Sequence, residues 1–376
     1  MKVDWLIVGA GLTGLVLAER IASRLDKKVL VVERRNHIGG NAYDHYDDNG
    51  ILVHRYGPHL FHTNSERVWR YLSQFTEWHP YCHRVLALVD GKKVPIPFNL
   101  NSIYATFDPA YASRVEDLLL KHYGFGGKVP ILKLRREASG ELRFLAEYVY
   151  EKIFYGYSLK QWGLPPEELG PSVTGRVPVH VSRDDRYFQD RYQAIPKHGY
   201  TPMLQRMVNH ANIDVVLDTD YRELEGEVKF DGMIYTGLID EFFDYMYGEL
   251  PYRSLNFEFT HHLADTFQEV AQVNYPDNQP YTRITEYKHI TGQRGHGTTI
   301  SIEYPLAYSR EQNLPFYPVP REENRERYNL YLLEAEGLKN KVLFAGRLAD
   351  YKYYNMDQAV ARALGVFEKQ VAGGRR

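Results

Sequence analysis

The sequence predicts an α/β protein. It reads as a discontinuous Rossmann-like nucleotide-binding domain, with a helical bundle and an antiparallel β-sheet inserted between its pieces. Three observations carry this. The run Trp5-Leu-Ile-Val8 breaks into Gly9-x-Gly11-x-x-Gly14 and is followed by Val29-Leu-Val-Val-Glu33, a strand, tight turn, helix and strand ending in an acid. Near the other end, Val342-Leu-Phe-Ala345, Gly346 and a helical run from about Asp357 read as a further piece of the same domain. The chain has 376 residues, too many for one simple core, and two or three domains are expected.

The N-terminal glycines let the backbone approach a pyrophosphate at a helix N-terminus, and Glu33 is placed to accept from a ribose 2′-hydroxyl. A secretory signal is the competing reading of the same stretch. It fails because Asp4 sits in the would-be basic region and Glu19-Arg20 stand where a small-residue cleavage site is wanted. Ser65 to Phe75 has helical spacing with a Ser N-cap. Arg84–Val89 and Lys92–Pro97 flank Asp90-Gly91, a pair that favours a type I′ hairpin. Residues 100–155 carry apolar residues at helical intervals, interrupted by the loop Gly124–Gly127. Pro165 to Pro178 is punctuated by proline and glycine and reads as an exposed, mobile loop. Ile213–Leu217 and Gly232–Thr236 are short strands, and Leu255 to Tyr304 holds several strand-like pieces, among them Thr298–Ile302.

Formal charge is −2, with no basic tract for nucleic acid or a membrane surface and no apolar run long enough to insert in a bilayer. Cys82 is the single cysteine, so no intrachain disulfide forms and a reducing, cytoplasmic setting fits. Cys82 itself is expected to be a buried small side chain rather than a nucleophile. The 31 tyrosines against 17 phenylalanines suit stacking combined with hydrogen bonding, as in carbohydrate or nucleotide recognition, although structural tyrosines give the same count. His37, His45, His54, His79 and His83 are scattered without ligand spacing, and no metal site is expected.

Gly39-Gly40 soon after Glu33, with the late strand–Gly346–helix element, resembles the glutathione-reductase-like FAD proteins, in which a C-terminal strand brings a helix N-terminus to the flavin. Asn355-Met356-Asp357 would cap that helix. Six further motifs follow in order: Gly57-Pro-His-Leu-Phe-His62, Tyr157-Ser-Leu-Lys-Gln-Trp162, Arg176-Val-Pro-Val, Asp184-Asp-Arg-Tyr-Phe188, Arg283-Ile-Thr-Glu-Tyr-Lys288 and Gly346-Arg-Leu-Ala-Asp-Tyr-Lys-Tyr353. Together they resemble the bacterial type of the UDP-galactopyranose mutase family, over nearly the whole chain. The resemblance implies FAD, active when reduced. It implies reversible, non-redox isomerisation of UDP-galactopyranose to UDP-galactofuranose through an adduct of reduced flavin N5 with the anomeric carbon. It also implies an unidentified reductant and a homodimer or higher assembly of dimers. The expected domains are FAD-binding (1–76, 199–243 and 338–376), helical (99–150) and sheet/substrate (77–98, 151–198 and 244–337, with a mobile loop over 165–180).

By the same resemblance, Arg176 and Arg283 contact the diphosphate, Arg176 on a closing lid and Arg283 on a fixed wall. Tyr157, Tyr187, Tyr317 and Tyr353 hydrogen-bond the diphosphate. Phe154 and Trp162 line the uridine and sugar pocket, and Asn274 gives a uridine-side polar contact. His59 approaches the flavin and would help manage its N5 proton, so that Arg176, Arg283 and His59 are the catalytic candidates; His62 is a weaker one. Gly9, Gly11, Leu12, Gly14, Glu33, Arg34, Gly40, Asn41, His59, Leu60, Gly346, Arg347, Tyr353, Asn355 and Met356 are expected around the cofactor. Two positions depart from the family pattern: Asn355, where an aspartate is expected, and His180, where an arginine is common. Two rival functions share the N-terminal fingerprint. A flavin-dependent oxidase or dehydrogenase of the amine-oxidase type predicts substrate-dependent bleaching or oxygen uptake. A non-enzymatic binding protein of the Rab-escort type predicts protein without yellow colour.

Overall fold

The computed structural model describes residues 1–170, 175 and 177–373. The chain opens with β1 (Lys2–Val8), α1 (Leu12–Leu25) and β2 (Val29–Val32). All four β2 residues are buried, as a strand covered on both faces requires. A hairpin of β3 (Asp44–Tyr46) and β4 (Leu52–His54) follows, then β5 (Phe61–Thr63), α2 (Glu66–Leu72) and β6 (Trp78–Pro80). Ser65 starts α2, its hydroxyl accepting from the Val68 N–H at 3.3 Å. β7 (Val85–Val89) and β8 (Lys92–Ile96) are joined by Asp90 and Gly91, both at positive φ (49° and 77°), as a type I′ turn needs.

The helical stretch comprises α3 (Leu100–Thr106), α4 (Pro109–Tyr123), the short β9 (Lys128–Val129), α5 (Ile131–Glu137) and α6 (Gly140–Val149). Asn99 and Asp108 cap α3 and α4. The helix does not end at residue 155. α6 widens through a π turn over Tyr150–Tyr155 and continues as α7 (Gly156–Trp162), which positions the aromatic residues of the Tyr157–Trp162 motif. Then come β10 (Val179–His180), β11 (Tyr192–Pro196), α8 (Tyr200–Val208), β12 (Ile213–Val216), β13 (Lys229–Tyr235) and α9 (Ile239–Phe242). The remaining elements are β14 (Tyr252–His262), β15 (Gln272–Asn274), β16 (Arg283–Glu286), α10 (Tyr287–Thr291), β17 (Thr298–Ala307), β18 (Tyr317–Pro318), α11 (Glu322–Leu338), β19 (Val342–Phe344) and α12 (Met356–Val366).

Two sheets matter for the site. The first is parallel, in the order β12-β2-β1-β13-β19. The chain passes from β1 to β2 and β12 on one side and then crosses to β13 and β19 on the other, so the C-terminal end of β1 is the switch point where α/β sheets open a crevice. α1 packs there against α12 through one apolar core that includes Leu15, Leu17, Ile21, Val360 and Leu364. The second sheet runs β18-β14-β17-β16-β15-β7-β8. It is mixed rather than antiparallel, because β15 pairs with β7 in parallel. A parallel pairing needs a long crossover, and the chain between β7 and β15 supplies one. The β7–β8 hairpin also shares an apolar core with the helices of 100–153, including Val85, Ile96, Ile103, Leu119, Leu145 and Ile153.

Two local expectations are corrected. Cys82 is exposed: it lies in an extended segment between half-buried Tyr81 and buried His83, and alternation turns the residue between them outward. The described start of the 165–178 loop is not simply exposed, since Pro166 and Leu169 are buried. Glu167 there accepts from Tyr150 at 2.6 Å and Arg135 at 2.7 Å. Among the described residues no helix is long and apolar enough to cross a membrane.

Candidate active site

A cavity of about 1090 Å³ opens where β1, β2, β13 and β19 end. Gly9, Gly11, Leu12, Glu33, Arg34, Gly40, Asn41, His59, Gly346, Arg347, Asn355 and Met356 line it. Gly9 has φ +101°, and a Cβ there would lie 2.2 Å from Thr236 Oγ1, so the turn tolerates only glycine. Gly14 does not line the cavity; a Cβ on it would sit 2.0 Å from the Gly9 carbonyl oxygen, and its part is close packing of α1 on the turn. α1 and α12 both begin at the cavity wall, at Leu12 and Met356. Two helix N-termini therefore offer N–H groups and partial positive charge to one space. The Asn355 N–H that opens α12 donates to Gln358 Oε1 at 3.0 Å.

The Glu33 carboxylate accepts from the N–H groups of Ala10 (2.8 Å) and Arg35 (3.0 Å), which fixes it at the cavity edge with lone pairs to spare for hydroxyls. Arg34 is paired with Glu241 at 2.8 Å. Arg35, not singled out from the sequence, lines the same cavity. Its Nη2 donates to Asn41 Oδ1 at 3.0 Å and its guanidinium lies 4.6 Å over Tyr56. Its Nη1 is buried with no partner, a donor held toward a ligand acceptor. The only sequence signal for it was a second arginine directly after Glu33-Arg34.

His59 is held by two bonds. Its N–H donates to His54 Nδ1 at 2.9 Å, and its Nδ1 lies 2.8 Å from the Gly57 carbonyl. Burial, together with His54, Arg347 and Arg283 nearby, pushes its pKa down to about 3. The ring is therefore neutral, with its proton on Nδ1 facing the carbonyl acceptor and Nε2 left as an acceptor.

A second cavity of about 200 Å³ adjoins this one. Phe154, Tyr157, Trp162, Tyr187, Asn274, Arg283, Tyr317 and Tyr353 all line it, so every described substrate candidate is brought together there. Its floor is one rung of the mixed sheet. Ala87, Asn274, Arg283, Glu303 and Phe257 are successive cross-strand partners on β7, β15, β16, β17 and β14. The far end of the rung packs on the loop before His59: a Cβ on Gly57 would lie 2.8 Å from the Phe257 ring, and His59, two residues on, lines the large cavity. Arg283, in the middle, gives its Nε (2.8 Å) and Nη2 (2.5 Å) to Glu303, a carboxylate only 1% exposed. Glu303 also accepts from Thr282 Oγ1 at 3.0 Å. The sequence left Glu303 unnoticed because it is 20 residues from Arg283 and only strand register joins them.

Tyr317 and Tyr353 stack at 5.2 Å, with Trp162 5.7 Å from Tyr317. The Arg347 guanidinium lies 5.3 Å over Tyr353, and so joins the aromatic wall of the small cavity to the large one. Tyr353, expected at the cofactor, lines the second cavity instead. Leu60, also expected there, lines neither and packs with Ile51, Val53 and Ile195, because the strand after His59 turns it toward that core. His62 is paired with Asp190 at 2.8 Å and stacked on Phe188, away from both cavities. His180 is buried in the β9–β10 ladder with its N–H on the Phe98 carbonyl at 2.8 Å, and burial pushes it to about 4. Arg176 lies outside the described residues. Among those described, no group of three His, Cys, Asp or Glu could hold a metal ion.

A family model described as UDP-galactopyranose mutase matches residues 152–353, and one described as an NAD(P)-binding Rossmann-like domain matches residues 7–75. The chain is 38% identical over 362 residues to a probable UDP-galactopyranose mutase of Klebsiella pneumoniae, covering 96% of this chain and 92% of that one. It is 35% identical over 367 residues to a dTDP-fucopyranose mutase of Escherichia coli, covering 96% of each. A crystal structure of reduced UDP-galactopyranose mutase superimposes with a TM-score of 0.73 at 16% identity, covering 100% of this chain and 95% of that one, a likeness of fold.

Proposed function

The chain belongs to the UDP-galactopyranose mutase family, and from that premise we propose that it interconverts UDP-galactopyranose and UDP-galactofuranose on a bound, reduced FAD. The observation that carries the reading is the contact between the two cavities, where Arg347 of the large one lies 5.3 Å over the Tyr353 ring of the small one. The rung from Asn274 through Arg283 and Glu303 to Phe257 spans three strand spacings, about 14 Å. Along it a base, a diphosphate and a sugar can be laid out with the sugar at the His59 end.

The large cavity suits FAD on its own features. Two helix N-termini and the Gly9–Gly11 turn suit a pyrophosphate, Glu33 a ribose, and the buried, unpartnered Arg35 Nη1 a ligand acceptor. A reduced flavin bound there supplies an electron-pair donor toward the anomeric carbon, so no side chain need be the nucleophile. The protein's own part is binding and charge. Glu303 fixes one edge of the Arg283 guanidinium and turns the opposite edge, at Nη1, toward the diphosphate as UDP departs. Arg176, as a lid residue, is the second cation of this proposal. The phenols of Tyr157, Tyr187, Tyr317 and Tyr353 donate to phosphate oxygens. Burial holds the Tyr157 and Tyr317 hydroxyls well above the usual phenol range, so they remain protonated donors. Neutral His59 offers Nε2 as the acceptor for a proton at the cofactor edge. A homodimer and an external electron donor complete the proposal.

The E. coli relative named for dTDP-fucopyranose makes a two-substrate assay the direct test. Protein reduced with dithionite is given UDP-galactopyranose and dTDP-fucopyranose separately, and the products are resolved by chromatography. Furanose formed faster from the uridine substrate supports the reading. Turnover of the thymidine substrate alone overturns the assignment to UDP-galactose, and turnover of neither overturns mutase activity on both.

A further inference from the structure

A buried chain of hydrogen bonds ends at the base side of the second cavity. The Tyr81 hydroxyl lies 3.0 Å from His83 Nδ1. His83, 3% exposed, lies beside the Gln272 side chain, and Gln272 Nε2 donates to Asn274 Oδ1 at 2.8 Å. Gln272 and Asn274 are two apart on β15, so both face the cavity they line. The elements around the chain are fixed as well, since the Tyr187 N–H donates to the His83 carbonyl at 2.7 Å.

One consistent set of donor and acceptor roles runs from Tyr81 to Asn274. Burial keeps His83 neutral, so one ring nitrogen accepts and the other donates. In the tautomer whose Nδ1 accepts from the Tyr81 O–H, His83 keeps its proton on Nε2 as a donor for the neighbouring Gln272 Oε1. Gln272 is then left with its NH₂, which is spent on Asn274 Oδ1. Asn274 therefore turns its own NH₂, with two donors, to the cavity.

The geometry points to Gln272, backed by His83 and Tyr81, as a positioning residue that locks Asn274 as a donor toward a pyrimidine carrying a carbonyl at position 4. Uracil and thymine present that carbonyl; cytosine presents an amino group, and two donors would then meet unpaired in a half-buried site. The inference rests on the second cavity being the nucleotide site proposed above. It goes further in assigning a base-discriminating role to residues that need not touch the base.

The test is the ratio of affinities for UDP and CDP, measured by calorimetry on the flavin-loaded protein and on Gln272→Leu, Gln272→Met and Gln272→Glu, with flavin content as the check on folding. The wild type is expected to prefer UDP by ten- to a hundredfold. Leu or Met at 272 frees Asn274 to rotate, and the preference falls to within about threefold while flavin content holds. Glu at 272 accepts only, draws the Asn274 NH₂ to itself and shifts the ratio further toward CDP. An unchanged ratio in whichever of the Leu and Met variants keeps its flavin overturns the relay while leaving the nucleotide site intact. Equal wild-type affinity for UDP and CDP overturns it as well. A wild type that binds no UDP overturns the nucleotide site itself, and the relay with it.

Discussion

Arg283 has its carboxylate partner and its place on the sheet fixed by strand register: Glu303 lies directly across the strand pair and is buried. In the proposed reaction, preorganisation of this kind removes the reorientation cost at the moment charge develops on the leaving diphosphate. Arg283→Ala is expected to lower kcat/KM on the order of a hundredfold or more, about 3 kcal/mol in the transition state, with flavin content unchanged. Arg283→Lys, which cannot reproduce the two-point contact with Glu303, should recover little of it. Steady-state kinetics on both variants decides this, and near-normal turnover of the alanine variant would remove Arg283 from the reaction. A second residue makes a prediction away from the site. Asp240 is 2% exposed; its Oδ2 accepts from the Leu250 N–H at 2.8 Å while Oδ1 is buried without a partner. Burial raises its pKa to about 6. The folded state then binds more protons than the unfolded state between about 4 and 6, so this group costs stability as pH rises through that window. Asp240→Asn should gain on the wild type by up to about 3 kcal/mol between pH 4 and pH 8. Urea melts at the two pH values measure it, and a pH-independent difference would show that Asp240 does not titrate there. Much at this scale was legible in the sequence. Gly9, Gly11 and Glu33 follow from backbone and ribose chemistry at fixed spacing, whereas Glu303, Arg35 and Gln272 do not, because register and burial gave them their partners.

Among the elements, α7 has the most to do for its seven residues. Gly156 lets it approach the 275–281 loop so closely that a Cβ would fall 2.2 Å from the Pro276 carbonyl oxygen. One turn on, Lys160 Nζ donates to the carbonyls of Tyr275, Gln279 and Tyr281. Gly156 and Lys160 stand at i and i+4, one face of the helix. That face pins the loop following Asn274, while the rest of α7 offers Tyr157 and Trp162 to the same cavity. Gly156→Ala and Lys160→Met are each expected to weaken UDP binding about tenfold by leaving carbonyls unpaired or displaced, with no loss of flavin. Calorimetric titration with UDP tests this, and wild-type affinity in both variants would show that the clamp does not shape the site. Local signals did well on elements whose cause is local: the Asp90-Gly91 hairpin and the Ser65 cap were readable from turn and capping chemistry alone. They did less well where tertiary context decides. The parallel joining of β15 to β7 and the continuation of the helix through a π turn to Trp162 depend on what packs alongside, and Cys82 faces outward because its neighbours are the ones the core takes.

At the scale of the molecule, two sheets of different character meet at one place. The parallel sheet ends in a crevice lined by the glycine turn and Glu33, and the mixed sheet lays a row of side chains from Asn274 to Phe257, which packs at Gly57 two residues before His59. The discontinuous path of the chain makes this meeting possible. Strands from residues 2–32, 213–235 and 342–344 close the first sheet around stretches that build the second. The proposed reaction has no net redox change and nevertheless needs a reduced cofactor. The measurement that tests it most directly follows UDP-galactofuranose by anaerobic chromatography while the flavin absorbance is recorded, with and without prior dithionite. Conversion to UDP-galactopyranose is expected only in the reduced sample, over many turnovers, with the absorbance of the reduced flavin steady throughout. Conversion at equal rate by oxidised protein, or stoichiometric reoxidation of the flavin as sugar is consumed, would contradict it.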